Sequence, residues 1–291
     1  MAYNALSEIL DICKERNISF YEAVMQDTCR DTELSEEENR KRMSEMWRVM
    51  LETSEDYDKN LKSRSGLVGG NGGMMEIYAK SHTGYCGEFL LMVITEALKM
   101  GESNACMKRI VAAPTAGSCG VMPAVYVAAK KLHGFSDESI ITSMFVAASI
   151  GQIIAKRAFI AGATGGCQAE IGTAAAMTAG GMTALKGGTP KQITNAVAMA
   201  LKSMLGLVCD PVAGLVEVPC VKRNVTGAVN AVACAEMALA GIESAIPVDQ
   251  VIDAMREVGE NMPSMYKETA CGGCANTPKG LEVAAMLESG Q

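Results

Sequence analysis

"TPKQITNAVAMALKSML", residues 189–205, decides the fold class. A threonine able to cap a helix precedes a proline, whose fixed φ suits the first helical position and whose missing N–H costs nothing there. Apolar residues then follow at helical spacing. Outward from this stretch, runs of the same kind at 88–100, 121–132, 137–157, 169–185, 226–240 and 248–260 alternate with glycine-rich loops, and Pro247-Val248-Asp249 opens the last of them in similar style. Strand-like alternation is scarce. The reading is a mainly α protein, a single helical catalytic domain whose Gly-rich loops carry the chemistry.

Only 4% of residues are aromatic, against 29 glycines and 21 methionines. Such a core packs through close approach of small-residue helices, with methionine filling the gaps. "GTAAAMTAGGMTALKGG" (172–188) is the extreme case and suggests no function of its own. The first sixty residues are charged and helical in pattern. Ser35 with Glu38 forms a capping box, after which Met43, Met46, Trp47 and Met50 recur at helical spacing. At Leu61 the composition turns to "KSRSGLVGGNGG" (62–73) and "KSHTGYCGEF" (80–89). The expected division is an N-terminal helical arm over 1–60 and a catalytic domain over 61–291.

A chain of 291 residues can bury one large core or two small ones. The net charge of -7 is spread along it, without the basic stripe of a nucleic-acid binder or a polybasic membrane anchor. The apolar run at 140–155 is too short and too rich in Ser, Thr and Gln for a membrane span, and "MAYNALSEIL" lacks the pattern of a secretory signal. Eleven cysteines in such a chain point to a reducing, cytoplasmic setting, where thiols serve metals or reactivity. Cys13, Cys29, Cys86, Cys106 and Cys234 fall in helix-like patterns and read as small buried hydrophobes. The others lie in or beside Gly- and Pro-rich turns. Cys167 in "ATGGCQAEIG" and the two ends of "CDPVAGLVEVPC", Cys209 and Cys220, are the candidates for metal. Their spacing matches no generic metal pattern, so from spacing alone the structural and ligand readings both stand. Three thiolates are what a cluster needs if one iron is to stay open to substrate.

Five stretches narrow the choice: "APTAGSCGVMPA" (113–124), "GGCQAEIGTAAAM" (165–177), "CDPVAGLVEVPCVKRN" (209–224), and "KSRSGLVGG" together with "SHTG". From Leu61 to the C-terminal "TPKG" the chain resembles the iron-sulfur-dependent L-serine dehydratases, and more narrowly the separate α subunit of their two-subunit form. The resemblance implies a 4Fe-4S cluster held by Cys167, Cys209 and Cys220, the Cys-x10-Cys loop wrapping one side and Cys167 closing it from another segment. It implies dehydration of L-serine in cytoplasmic amino-acid catabolism and gluconeogenesis. An open iron would draw off the charge of the departing hydroxyl, and the aminoacrylate left would tautomerise and hydrolyse to pyruvate and ammonia.

A base must take the α-proton, and only His82 and His133 exist. His133 precedes a glycine at a helix end and reads as a cap residue. His82, flanked by Ser81 and Thr83, is the better candidate for substrate contact or proton transfer. The resemblance also implies a β subunit with its own Ser-His-Thr motif, which could supply the base instead. Lys62 and Arg64 could bind the substrate carboxylate. Thr115, Ser118 and the neighbouring amides offer an anion nest, and Cys119 beside them reads equally as packing. Cys271 and Cys274 form the chain's only Cys-x-x-Cys and could cap the open iron at rest. Two alternatives stand beside serine dehydration. L-cysteine could be desulfurated on the same cluster. A pyridoxal-phosphate enzyme is the other, although its lysine and phosphate loop usually lie far apart and here Lys62 nearly touches the glycines.

Overall fold

The computed structural model describes residues 3–81 and 84–290. Among them the chain forms helices and turns, with no strand beyond one isolated parallel bridge between Cys209 and Lys267. The first three helices are α1 (Leu6–Arg16), α2 (Phe20–Thr32) and α3 (Glu36–Glu55). Reciprocal capping boxes, Ser19 with Glu22 and Ser35 with Glu38, open α2 and α3. Leu6, Ile9, Phe20, Trp47 and Met50 enter the same apolar core as the later helices. The methionine stripe of α3 is therefore folded inward, with Met46 left half exposed. Trp47 meets Tyr126 edge-on at 6.5 Å, and its indole N–H donates to Asp137 Oδ1 at 2.7 Å.

The remaining elements are α4 (Asn71–Lys80), α5 (Glu88–Ala105), α6 (Val121–His133), α7 (Asp137–Arg157), the single turn α8 (Gly162–Gly165), α9 (Thr173–Leu185), α10 (Pro190–Lys202), α11 (Cys220–Leu239), α12 (Val248–Asn261) and α13 (Pro278–Glu288). The alanine- and glycine-rich α9 is the hub, packed by α6, α7, α10 and α11, and every residue from Thr173 to Thr183 is buried. Glycine explains how four helices reach it. A Cβ on Gly180 would lie 3.0 Å from Val197 Cγ2 and would overlap Ile150, so the cost of glycine inside a helix, about 0.5–1 kcal/mol, is the lesser one here. α7 is long and apolar enough to cross a membrane, yet 67% of its most apolar window is buried within the chain.

Two helices longer than a single turn are not anticipated from the sequence, and one begins early. α4 opens on a pair of glycines that argue against a helix. The buried carboxylate of Glu102 compensates by accepting from the N–H groups of Asn71 (2.9 Å) and Gly72 (3.0 Å) and from Tyr57 Oη (2.5 Å). A Cβ on Gly72 would stand 2.8 Å from Lys99 Cγ, so glycine lets α4 lie close on α5. α13 starts from Thr277-Pro278, the same cap-and-proline device that opens α10. α11 begins at Cys220, not near 226, because Pro219 occupies the N-cap position and the polar "VKRN" forms its first turn.

Candidate metal centre and active site

Each candidate cysteine is fixed by a different device. Cys167 stands between α8 and a π-helical turn, Gln168–Gly172, that runs into α9. Its neighbour Gln168, fully buried, anchors that turn: its backbone N–H donates to Leu207 O (2.9 Å), its Nε2 to Met255 O (3.1 Å), and its Oε1 accepts from Gly206 N–H (2.9 Å). Cys209 lies in the loop after α10 and is clipped to the C-terminal segment, donating its N–H to Tyr266 O and accepting from Glu268 N–H, both at 2.8 Å. Cys220 is the first residue of α11, where the helix dipole favours a thiolate. All three side chains are buried.

The three thiols lie close enough to act on one another electrostatically. Burial is the largest influence on each and pushes Cys167 and Cys220 up to about 12 and Cys209 up as well. After burial, Cys209 and Cys220 each feel Cys167 most strongly, and Glu170 raises all three. The Arg223 guanidinium opposes this at Cys167 and Cys220. Arg223, one turn into α11, donates from Nη1 to Val208 O at 2.8 Å. The same Nη1 lies 2.8 Å from Asp210 Oδ1, an ion pair without hydrogen-bond alignment, since that oxygen has no hydrogen-bond donor. Asp210 Oδ2 accepts from Cys274 N–H at 2.7 Å.

Glu170 is the carboxyl at the centre. Thr115 Oγ1 donates to its Oε1 at 2.7 Å, while burial, the larger influence, pushes its pKa up. Its Oε2 turns toward Gly162. A Cβ added there would lie 2.8 Å from Cys209 Sγ, 3.0 Å from Glu170 Oε2 and 3.3 Å from Glu268 Oε2. Glycine at 162 thus keeps open a space onto which a thiol and two carboxyls converge. Asn224 ties this side together: its Nδ2 donates to Gly117 O (2.8 Å) and Cys220 O (3.0 Å), and its Oδ1 accepts from Gly120 N–H (2.8 Å).

Among the described residues no three His, Cys, Asp or Glu side chains are drawn tightly enough to grip a single ion. A cluster of several irons is wider than one ion and takes its thiolates from more widely set points. Three buried thiols, two from the ends of the 209–220 stretch and one from the turn before α9, lie beside one cation, and Cys209 borders a space that a Cβ would fill; this donor set fits such a group. Binding would deprotonate the thiols and offset their mutual repulsion.

The other candidates are dispersed. Thr115 reaches the site through Glu170, and Ser118 Oγ lies 3.1 Å from Thr115 Oγ1. Lys62 Nζ donates to Gly69 O at 2.7 Å within its own loop, and Arg64 is exposed. That loop touches the cysteine loop by other means, since Ser63 (2.6 Å) and Ser65 both donate to the buried carboxylate of Glu217. Ser81 caps the end of α4, its Oγ donating to Tyr78 O at 2.6 Å, while His82 and Thr83 lie outside the described residues. His133 ends α6 ahead of a left-handed Gly134 and stacks on Phe89 at 4.9 Å. Cys119 is buried packing, and Cys271 and Cys274 are exposed.

A profile of the family described as "Serine dehydratase alpha chain" matches residues 15–275. The chain belongs to the serine dehydratase alpha chain family. The "Probable L-serine dehydratase, alpha chain" of Bacillus subtilis is 42% identical, over 99% of this chain and 96% of its own length. The "L-serine dehydratase, alpha chain" of Peptoniphilus asaccharolyticus is 40% identical, over 96% of both. An "L-serine dehydratase" of Mycobacterium bovis is 37% identical over 94% of this chain, which spans only 61% of that relative. In this alpha chain, Glu170, Arg223, Asn224, Glu217 and Gln168 do as much positioning as the cysteines, and sequence reasoning passed over them. Each stands inside a motif that it had singled out. The available signal was spacing: Asn224 lies four residues after Cys220 and so on the same helical face, and Glu170 lies within one turn of Cys167.

Proposed function

We infer that the chain is the cluster-bearing α chain of an L-serine dehydratase, an ammonia-lyase converting L-serine to pyruvate and ammonia, with Cys167, Cys209 and Cys220 holding a 4Fe-4S group. The observation that carries this reading is the nearness of three buried thiols, two from the ends of the 209–220 stretch and one from the turn before α9, with Glu170 and Arg223 beside them. When bound, the cluster supplies a Lewis-acidic iron that takes up the charge of the leaving hydroxyl. The chain's own residues do the rest. Arg223 offsets the negative charge of the thiolates, and Asp210 stands beside it as its ion-pair partner. Thr115 holds Glu170 by one oxygen, leaving the other facing the space at Gly162, and burial pushes the pKa of this carboxyl up. His82, with Ser81 and Thr83 beside it, is assigned to the α-proton, and a β chain is the partner of the assembled cytoplasmic enzyme.

The test is anaerobic reconstitution of the chain with its β chain, reading pyruvate from L-serine and from L-cysteine alongside bound iron and sulfide. Cys167→Ala, Cys209→Ala and Cys220→Ala should each lose bound iron and lower serine turnover by more than roughly 100-fold, whereas Cys234→Ala should keep both. A full cluster in any of the three removes that residue from the ligand set. Faster turnover of L-cysteine than of L-serine would reassign the substrate.

A further inference from the structure

α4 is pinned at one end and bare along one side. Glu102 fixes its first turn, and Gly72 and Gly73 bury its inner side close to Lys99 and Lys59. Its outer side carries Met74, Ile77 and Tyr78, spaced i, i+3, i+4, and these are 70%, 69% and 44% exposed. Leu67 before the helix and Tyr85 after it extend the patch, Tyr85 standing fully clear of the chain. A single exposed apolar side chain, such as Met107, is ordinary for a protein surface. A rigid helix with a contiguous apolar stripe is not. The charges on α4 are matched within the chain, Glu76 with Lys99 (3.3 Å) and with Lys80 (3.5 Å), so the patch calls for an apolar surface and not for a charged one. Beside it a cavity of about 560 Å³ opens between α4 and α5, its walls including Lys80, Gly84, Cys86, Leu91 and Lys131. A recess beside a stripe of anchors is how interfaces seat a large side chain.

We propose that this face, Met74, Ile77, Tyr78 and Tyr85 with the adjoining cavity, is the docking surface for the β chain, which presents an apolar patch and inserts a side chain into the cavity. The occupant follows from chain lengths. Relatives called alpha chains are matched over 96% of their length, while the Mycobacterium bovis relative, not so named, extends beyond this chain by about two-fifths of its own. In the relatives named alpha chains, which this chain matches over nearly their full length, the name itself implies a separate companion chain, and the β chain of the reading above is that occupant. The proposal rests on the β-chain reading above and adds its location. It places the partner along α4, whose last turn ends at Ser81.

The experiment measures the affinity of the purified β chain for the full, cluster-loaded chain. Met74→Asp combined with Ile77→Asp should weaken binding by roughly 30-fold or more, with helix content and bound iron unchanged. Met107→Asp, at a residue 93% exposed elsewhere, should leave binding as it is. Hydrogen exchange on the unaltered chain gives a readout independent of any variant: adding the β chain should protect the backbone of 74–81. Native affinity in the double variant, or protection confined to other helices, overturns the proposal. So does a dimer of the isolated chain that Ile77→Asp alone dissociates, because the face would then belong to a second copy. If the unaltered chain binds no β chain at all, the partner reading falls together with the docking face; binding elsewhere removes only the face.

Discussion

Asn224 should be worth more to this protein than any single cysteine outside the candidate centre. Its side chain is 2% exposed and makes three hydrogen bonds, two into the 113–120 loop and one to Cys220. Asn224→Ala leaves Gly120 N–H and Gly117 C=O buried without that partner. Cys220 C=O keeps the intrahelical bond that any residue opening a helix makes. An orphaned buried polar group costs about 1–3 kcal/mol, so two of them bring about 2–6 kcal/mol, a large share of a net stability of about 5–15 kcal/mol. Asn224→Asp sharpens the test. It preserves shape and the acceptor for Gly120 N–H but sets a second acceptor against two carbonyls, and it should be no milder than alanine. Trp47 is the chain's only tryptophan and is buried, so urea unfolding followed by its fluorescence reads the stability directly. Iron per chain after anaerobic reconstitution reads the site. If both variants unfold within about 0.5 kcal/mol of the unaltered chain, a change typical of an exposed surface position, and also bind a full complement of iron, Asn224 does not join the loop to the cysteine helix.

Three further outcomes are expected. Gly162→Ala should keep the fold, with a loss in urea stability under about 1 kcal/mol, yet lower iron content or serine turnover by at least roughly tenfold, because its Cβ enters the space shared by Cys209 and Glu170; a fully active variant would sink the assignment of that space. Asp137 is held below its ordinary 3.8 by hydrogen bonds from Lys130 and then Trp47. A lowered carboxyl contributes stability that is complete above the unfolded value and is lost as pH falls through the folded one. Asp137→Asn should therefore cost about 0.5–1 kcal/mol at pH 7, the modest figure reflecting a side chain 54% exposed and screened. The difference should vanish well below pH 3.8, and one that grows in acid would contradict the pairing. Air should inactivate the loaded enzyme, with recovery on ferrous iron and thiol and no response to pyridoxal phosphate; activity indifferent to air and chelators would count against an open iron.

The helices were legible wherever a local device announced them. Thr189-Pro190 and the Ser35/Glu38 box open helices where expected, because capping is a property of a few adjacent residues. α4 was not legible, since the carboxylate that starts it belongs to Glu102, far along the chain in α5. The candidate centre shows the same split. Cysteines in glycine loops could be singled out, and a family resemblance could join three of them. The partners of Glu170, Gln168 and Asn224 come from other loops and helices, and their roles follow from packing that no spacing encodes. Lys62 illustrates the reverse case: a cation in a promising loop whose ammonium is spent on a carbonyl seven residues away.

The clip between Cys209 and the C-terminal segment bears on the order in which the protein is made. Tyr266, Glu268 and the Cys274 amide hold the cysteine loop and its Asp210, but they leave the ribosome after all three candidate thiols have been synthesised. At roughly 5–20 residues per second the thiols wait several seconds for this cover. A nascent chain therefore carries the donor set before it carries the lid. In that interval the loops are open to a metal donor and to an oxidant alike. If these thiols hold the proposed cluster, its loading competes with closure of the clip.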